Sequence, residues 1–561
     1  MSLQVEKEWV IAERIPNEIK DSLSDYSEIM QQLLYNRGIK DAKTASLFFD
    51  KESQGNDPFL LKGMQSAVER IFQAIDRQEK IVVFGDYDAD GITSTALLTE
   101  VLQNFGADVT PYIPEREEGY GVNTNAIDKI KELQTALIIT VDCGIRSPEE
   151  LKHAQDLGMT VIVTDHHMPA EIIPDVYSVI NPRQKGDEYP EKDLAGVGVA
   201  YKVAQALFIK KEGSSDLADQ WLDLVAIGTV ADVVPLLGEN RLIVSKGLRA
   251  LRFTKRLGLV SLVQVSGFHQ NKIGTIDIGF GIAPRLNAAG RLDSPKKALE
   301  LLMTKDLATA GLLSQELDDI NRRRQKITSK MQEDAQKSIN EDSLIIFSMD
   351  EGFNSGLVGL VSAKLTEFYY RPSVVGFIGE NFTRASCRSI PEFHITQALD
   401  RCEHLLIRHG GHAMAAGFTV ANENINKLME ELNKIAESEL CDKVLNPKIQ
   451  IDLEHPLYQL PENILSELDQ LEPLGAENPE AIFVSKNVEV KQARTVGKDE
   501  NHLKLRLKDK NVEYDAIAFN QGFWGKEIPK KIDVVYTIER NYYNGNIYKQ
   551  LKVKDLRPTS K

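Results

Sequence analysis

The first half of the chain sets continuous apolar runs, each closed by acidic or imidazole side chains, between segments of helical periodicity. Ile81-Val82-Val83-Phe84 leads into Asp86-Tyr87-Asp88-Ala89-Asp90-Gly91, residues 136–141 into Asp142, and Val161-Ile162-Val163 into Asp165-His166-His167. A fourth strand-like run, 224–230, leads into Asp232. Helical segments such as 66–76 and 93–105 lie between the runs. Uninterrupted apolar strands alternating with helices predict a parallel sheet covered on both faces.

Before that region, residues 1–55 read as short helices, with Ile29, Leu33, Leu34 and Ile39 on a face expected to cap the domain that follows. Residues 305–341 hold few Gly or Pro and place Leu312, Leu313, Leu317 and Ile320 at helical spacing, which predicts a long connecting helix. Strands resume at 343–347 and 373–377, with a helix near 359–368, as in a second, smaller α/β domain. After Leu445 short alternating strands follow, at 482–483, 488–490, 502–507, 514–519, 533–538 and 547–553, with Asn544-Gly545-Asn546 as a turn. They predict a small β-barrel of the OB-fold kind. The expected division is a helical segment 1–55, an α/β catalytic domain 56–304, a connecting helix 305–341, a smaller α/β domain 342–440 and a barrel 446–561.

A chain of 561 residues exceeds the size at which one core stops growing, in keeping with several domains. No apolar run approaches the ~20 residues that span a bilayer. The N-terminus carries charges where a signal peptide would be apolar, so the cytoplasm is the expected location and no membrane partner is expected. Cys143, Cys387, Cys402 and Cys441 lack CxxC spacing and read as reduced thiols. The net charge of −16 argues against indiscriminate nucleic-acid binding, so a polyanionic substrate would need local basic patches.

Carboxylates gathered at the carboxyl ends of parallel strands repel one another unless cations neutralise them. An isolated DxD is more often a solvated acidic turn. Here Asp142, Asp232 and the histidine doublet shift the balance to a metal site. In extended backbone Asp86, Asp88 and Asp90 would share a face, with Gly91 turning into a helix near Thr93. The mixed N/O donors suit Mn²⁺ or Mg²⁺ better than structural zinc, and two ions are expected, with Asp142 placed to bridge them. The expected chemistry is in-line attack of an activated water on phosphorus.

Asp88-Ala89-Asp90-Gly91, Val141-Asp142, Asp165-His166-His167 and Ala231-Asp232 resemble, in order, the four motifs of the DHH phosphoesterase superfamily. The fuller strings 85–91, 140–144, 195–200, 228–235 and 283–292 resemble its bacterial single-strand-specific exonucleases, over residues 60 to 555. The resemblance implies a parallel-sheet DHH domain, a smaller α/β DHHA1 domain and an OB-fold barrel. It implies 5′-to-3′ degradation of single-stranded DNA to 5′ mononucleotides with Mn²⁺ or Mg²⁺, in DNA repair and recombination. Family members often work beside a helicase and a single-strand-binding protein. By position it makes Asp86, Asp88, Asp90, Asp142, His166 and Asp232 metal ligands, with His167, Asp142 and Asp165 in catalysis. Phe84 departs from the pattern, since many members carry a metal-binding His there.

The resemblance also nominates Ser386 and Arg388, with Arg116, for the 5′-terminal phosphate; the alternative for Arg116 is a pair with Glu115, Glu117 or another acid. Arg285, Asn287 and Arg291, in a small-residue loop, suit backbone phosphates, against a buried salt bridge. His412 would touch substrate or cap a turn. In the barrel, His502, Lys504, Arg506, Tyr514, Phe519, Tyr542 and Tyr543 offer a basic and aromatic mix for single strands, about half of the aromatics being core. The loop 473–479 reads as structural. Other readings are a phosphodiesterase for short oligonucleotides or cyclic dinucleotides, a pyrophosphatase, and an inactive DNA-binding scaffold. The barrel favours extended strands, and the full set of acids favours an active enzyme.

Overall fold

The computed structural model describes residues 6–118, 121–337, 339–340, 342–543 and 546–559. It divides into two compact units, a smaller one built mainly from 316–449 and a larger one from 9–290, 294–315 and 450–561.

In the larger unit, two short helices, α1 (Glu28–Asn36) and α2 (Ala42–Phe49), precede a parallel sheet. Their N-caps are Ser27 and Asp41, whose side chains accept from the Met30 and Thr44 amides. The sheet holds β1 (Ile81–Gly85), β2 (Val109–Tyr112), β3 (Leu137–Val141), β4 (Thr160–Thr164) and β5 (Ser178–Ile180), in the order β2-β1-β3-β4-β5. Every residue of β1 and β3 is buried, which is why they read as runs and not as alternations. Gly85 pairs with Val141, and Val141 with Thr164, so three strands end level. The acidic and imidazole residues that follow them therefore leave the sheet at one edge.

The helices of this region are α3 (Ala89–Asn104), α4 (Gly196–Glu212), α5 (Leu222–Ala231), α6 (Gly238–Phe253) and α7 (Ala283–Leu292). Three expectations are corrected. The apolar run 224–230 is helix: α5 is buried on nearly all sides and shows no amphipathic stripe, so its periodicity did not separate it from a strand. Asp88 caps α3, which starts at Ala89, so Asp90 and Gly91 lie in its first turn and not on an extended segment. The small-residue stretch around Asn287 is the helix α7, its Ala288, Ala289 and Gly290 buried. Alanine favours helix, and small side chains permit the close packing seen here.

The predicted connecting helix is α8 (Leu307–Lys337), 31 residues long. In the smaller unit β6 (Ile346–Asp350), β7 (Ser373–Ile378), β8 (Phe382–Arg388), β9 (Leu406–His412) and β10 (Ala415–Ala421) form a sheet in the order β9-β10-β8-β7-β6. Val375 packs with Val358, Val361 and Leu365 of α9 (Val358–Tyr369). Its neighbour Val374 packs with Leu428 and Leu432 of α10 (Ile425–Leu440), so helices cover both faces.

The C-terminal strands are β11 (Leu453–Glu454), β12 (Phe483–Val496), β13 (His502–Asp509), β14 (Val512–Ala518), β15 (Lys531–Tyr543) and β16 (Asn546–Pro558). They run in the order β11-β12-β13-β14-β16-β15, and β12 also pairs with β15, closing a five-stranded barrel. The predicted pieces 482–483 and 488–490 belong to one strand: register shifts at Ser485/Val488 and Val490/Gln492 interrupt the alternation. The expected turn residues Asn544 and Gly545 lie outside the described residues.

The N-terminal helices find a different partner from the one expected. Ile29, Leu33, Leu34, Ala45 and Phe48 share one core with Leu457, Phe483, Leu503, Leu505 and Tyr536 of the barrel region. Arg241 of α6 ties this assembly to the helices of the parallel-sheet region. Its buried guanidinium donates to the carbonyls of Phe48, Gln470, Leu471, Glu472 and Pro473 and lies 3.8 Å from the Phe48 ring centroid. Leu236 N–H donates to Ala476 O at 2.9 Å, and Arg37 Nε to Asn478 Oδ1 at 2.7 Å, so the loop 473–479 is anchored on both sides. Among the described residues no helix is long and apolar enough to cross a membrane.

Candidate metal centre

Asp86, Asp88 and Asp90 follow β1, Asp142 follows β3, His166 and His167 follow β4, and Asp232 caps the C-terminal end of α5. Their ligand atoms fall into three groups, within each of which all atoms lie inside 4.8 Å: Asp86, Asp88 and Asp142; Asp142, His166 and His167; Asp90, His166 and Asp232. Asp142 and His166 each belong to two groups. His166 Nε2 is 3.2 Å from Asp142 Oδ1, 3.6 Å from Asp232 Oδ2 and 4.0 Å from Asp90 Oδ2.

The backbone pays for this convergence. Asp142 adopts a left-handed conformation, φ 58°, which L-residues other than Gly, Asn and Asp seldom occupy. The first amides of α4 face the cluster: Gly196 N–H and Val197 N–H donate to the Asp90 carboxylate at 2.7 and 2.8 Å. A Cβ at Gly196 would overlap the Asp142 carboxylate, and one at Gly228 would press on Asp90 and Thr93. Both positions must stay bare for α4 and α5 to approach the acids. Asn287 Oδ1 accepts from Ala89 N–H at 2.7 Å and steadies the start of α3.

Burial first, then the neighbouring carboxylates, push Asp86, Asp90 and Asp142 well above the ordinary carboxylate range. Burial and the charge of Asp88 lift Asp232 to about 7. Its place at a helix C-terminus adds the negative end of a dipole. Burial, then the neighbouring His167, lowers His166 to about 4, so at pH 7 its imidazole is neutral and offers one nitrogen lone pair. Asp86 Oδ1 and both ring nitrogens of His166 are buried without a hydrogen bond among the described residues. Buried polar atoms left unsatisfied cost about 1–3 kcal/mol each. A cluster of clashing carboxylates around a neutral imidazole, with such atoms turned inward, fits hard divalent cations.

Asp165 is held by hydrogen bonds from its own segment and from the loop after β3. Its buried carboxylate accepts from the Ile145, His166 and His167 amides and from His167 Nδ1 at 2.8 Å. Burial alone would raise it, but the bonds and charge from His167 outweigh that and hold it below the ordinary range. Burial would likewise lower His167, yet Asp165, with charge from Asp232 and Asp90, holds it above its usual value. Phe84 is buried in the sheet and stacks on Tyr112 at 5.4 Å, outside all three ligand groups.

Arg116 lies over the Tyr87 ring, 5.2 Å from its centroid, while Glu115 pairs with Lys296 and Glu118 with Lys129. Arg285 Nη1 bonds Gly281 O at 2.8 Å on its own helical run, and Arg291 Nη1 bonds Gly356 O at 3.3 Å. In the smaller unit Ser386 and Arg388 share one face of β8, opposite Gly417 and Ala415 of β10 and beside Gly359 of α9. His412 ends β9, exposed, its carbonyl accepting from Thr396 at 2.7 Å. In the barrel His502, Lys504 and Arg506 alternate with buried Leu503, Leu505 and Leu507. Phe519 is exposed beside His502, and Tyr514 packs on the core. The side chains of Tyr542 and Tyr543 lie outside the described part of the structure. Sequence reasoning missed the α4 amides; the Ala195-Gly196-Val197-Gly198 string was their only signal, small residues opening a helix that meets an acid.

The parallel sheet with a cluster of buried acids and imidazoles at its carboxyl edge, joined to a smaller α/β domain, defines a phosphoesterase of the DHH class. Family profiles agree, matching the DHH family, N-terminal domain at 80–229, the DHHA1 domain at 341–438 and the RecJ OB domain at 451–555. The chain belongs to the RecJ family of single-stranded-DNA-specific exonucleases. It is 40% identical over 536 residues to the single-stranded-DNA-specific exonuclease RecJ of Bacillus subtilis (strain 168), covering 94% of this chain and 67% of that one. The crystal structure of RecJ in complex with Mn²⁺ from Thermus thermophilus superposes with a TM-score of 0.86 at 30% identity, covering 99% of this chain and 80% of that one. The Mg²⁺ complex of the same protein gives 0.80 at 29%, covering 99% and 79%.

Proposed function

We propose that this chain degrades single-stranded DNA from the 5′ end, releasing 5′ mononucleotides, with Mn²⁺ or Mg²⁺ as cofactor and in the service of DNA repair and recombination. The observation that carries this reading is the buried acid and imidazole cluster at the carboxyl edge of the sheet. The proposed ligands are Asp86, Asp88, Asp90, Asp142, His166 and Asp232, with Asp142 shared. When bound, a cation pair supplies an acidified water and offsets charge gathering on the phosphate oxygens.

The chain's own residues supply the rest. The α4 amides hold the Asp90 carboxylate in place, and His166 offers a neutral nitrogen. His167, oriented by Asp165 and favoured in its protonated form, is suited to donate a hydrogen bond to a phosphate oxygen or the departing 3′ oxygen. We assign to Arg116, and separately to Ser386, Arg388 and His412, contacts with the strand's terminal nucleotide. Asn287 is engaged in capping α3, which leaves Arg285 and Arg291 as the stronger candidates of that helix for phosphate contacts. The alternating basic face of β13 supports a role for the barrel in tracking longer strands.

The domain limits 1–55, 56–304, 305–341, 342–440 and 446–561 serve as the working division. A cytoplasmic location and cooperation with a helicase and a single-strand-binding protein are proposed on the same reading. The decisive experiment compares digestion of 5′-labelled and 3′-labelled single strands, with and without chelator, beside a duplex control. Expected is metal-dependent early release of the 5′ label from single strands. Early loss of the 3′ label, or equal digestion of the duplex, would refute the polarity or the strand preference.

A further inference from the structure

Val233 directly follows the proposed ligand Asp232, and it combines a left-handed backbone, φ 61°, with a side chain 70% exposed. It stands just past the end of α5, where Asp232 N–H bonds Gly228 O at 2.9 Å and Val233 N–H bonds Val230 O at 3.3 Å. Helix ends of this shape favour glycine, because a Cβ in the left-handed region crowds the adjoining carbonyl, and β-branching aggravates the clash. A valine here costs folding free energy, and an exposed isopropyl group returns little through packing. The left-handed turn ends α5 and leads to buried Val234 and Leu236, but among the described residues the Val233 side chain belongs to no buried core.

Its surroundings suggest an account. Consecutive Cα atoms lie about 3.8 Å apart, so Val233 stands within roughly one nucleotide of the ligand cluster. Met168, two residues past the proposed ligand His166, is 51% exposed as well, so an exposed apolar residue follows a proposed ligand closely on two segments. A phosphodiester drawn to the acids brings a deoxyribose and base beside its phosphate, and their apolar surfaces are what an isopropyl group would contact. We propose that Val233 is a substrate-contact residue that packs against the sugar and base of the nucleotide at the metal centre, an assignment that rests on the nuclease reading above. The strain is retained because the contact is made only when DNA is bound.

Val233→Gly separates this from a structural role, because it relieves the backbone while removing the side chain. The full-length variant is expected to unfold about 2 °C higher than wild type. Its kcat/KM on a 5′-phosphorylated oligothymidylate with Mn²⁺ is expected to fall roughly 5- to 10-fold, as loss of a buried apolar contact predicts. Mn²⁺ affinity by calorimetry is expected to stay within about 2-fold of wild type, and Val233→Ile is expected to recover most of the loss. Undiminished kcat/KM in Val233→Gly would overturn the assignment, as would a lower unfolding midpoint. A fall in Mn²⁺ affinity matching the fall in kcat/KM would also overturn it, since Val233 would then act by aiming Asp232. If the wild-type protein binds Mn²⁺ but leaves the oligothymidylate intact, the nuclease reading itself fails.

Discussion

Asp142 lies in two of the three ligand groups, is buried, and holds a left-handed backbone, so its removal takes a ligand atom from both of those groups. Asp142→Ala is expected to reduce cleavage by roughly 1,000-fold or more. Binding of single strands, measured by fluorescence anisotropy, should be retained. Normal cleavage would displace the centre from this cluster. The same carboxylates fix the pH behaviour of the metal-free protein. Native Asp232 keeps its proton up to about 7, and Asp86, Asp90 and Asp142 are raised too, whereas the unfolded chain releases these protons near its ordinary carboxylate value. Between about pH 4 and 7 the native state therefore binds more protons, and stability falls as pH rises. His166, lowered to about 4, works in the opposite sense but is one group against several. Thermal unfolding in chelator should thus show a midpoint that declines towards pH 7, and Mn²⁺ should reverse the trend. At this scale the acids and the histidine doublet were legible because their types and order carry the chemistry. That Asp165 accepts from His167 and Asn287 from the Ala89 amide was not, since those bonds depend on where a side chain points.

Among the elements, α4 matters through its first turn, whose amides grip Asp90 while Gly196 lies against Asp142. Gly196→Ala is expected to weaken Mn²⁺ binding by roughly 10-fold or more while leaving the fold intact. Calorimetry beside circular dichroism would check both. Arg241 is a second element-level clasp, joining α6 to α2 and to the loop that enters the barrel. Arg241→Ala strands several buried carbonyls and should cost roughly 3–5 kcal/mol, read as a lower denaturant midpoint. The parallel strands were readable from the sequence because full burial makes them continuous apolar runs. The helix α5 was misread for the same reason: buried on nearly all sides, it lacks the stripe that distinguishes a helix. The bulged strand β12 looked like two pieces because each register shift resets the alternation.

For the molecule as a whole, the shared core of the N-terminal helices and the barrel changes how the barrel's role should be tested. Deleting residues beyond 446 would uncover Ile29, Leu33, Leu34 and Phe48, so a truncation confounds lost binding with lost folding. Replacing Lys504 and Arg506 with Ala leaves that core untouched. The pair is expected to raise KM several-fold for strands long enough to reach the barrel, with little change for very short ones, and to flatten the salt dependence of binding. Equal effects at both lengths would count against the barrel as a tracking surface. Domain order and barrel class were legible from texture along the chain. The partner of the first helices was not, because an amphipathic face states that something covers it and not what.

That shared core also sets a schedule for synthesis. The first helices leave the ribosome with their apolar face uncovered, and the strands that cover it arrive about 400 residues later, a wait of tens of seconds at about 5–20 residues per second. Throughout that interval the nascent chain carries an apolar helical face whose cover has not yet been made. Protease resistance of α1 and α2 in a nascent chain is therefore expected only once the barrel strands that share their core have been made.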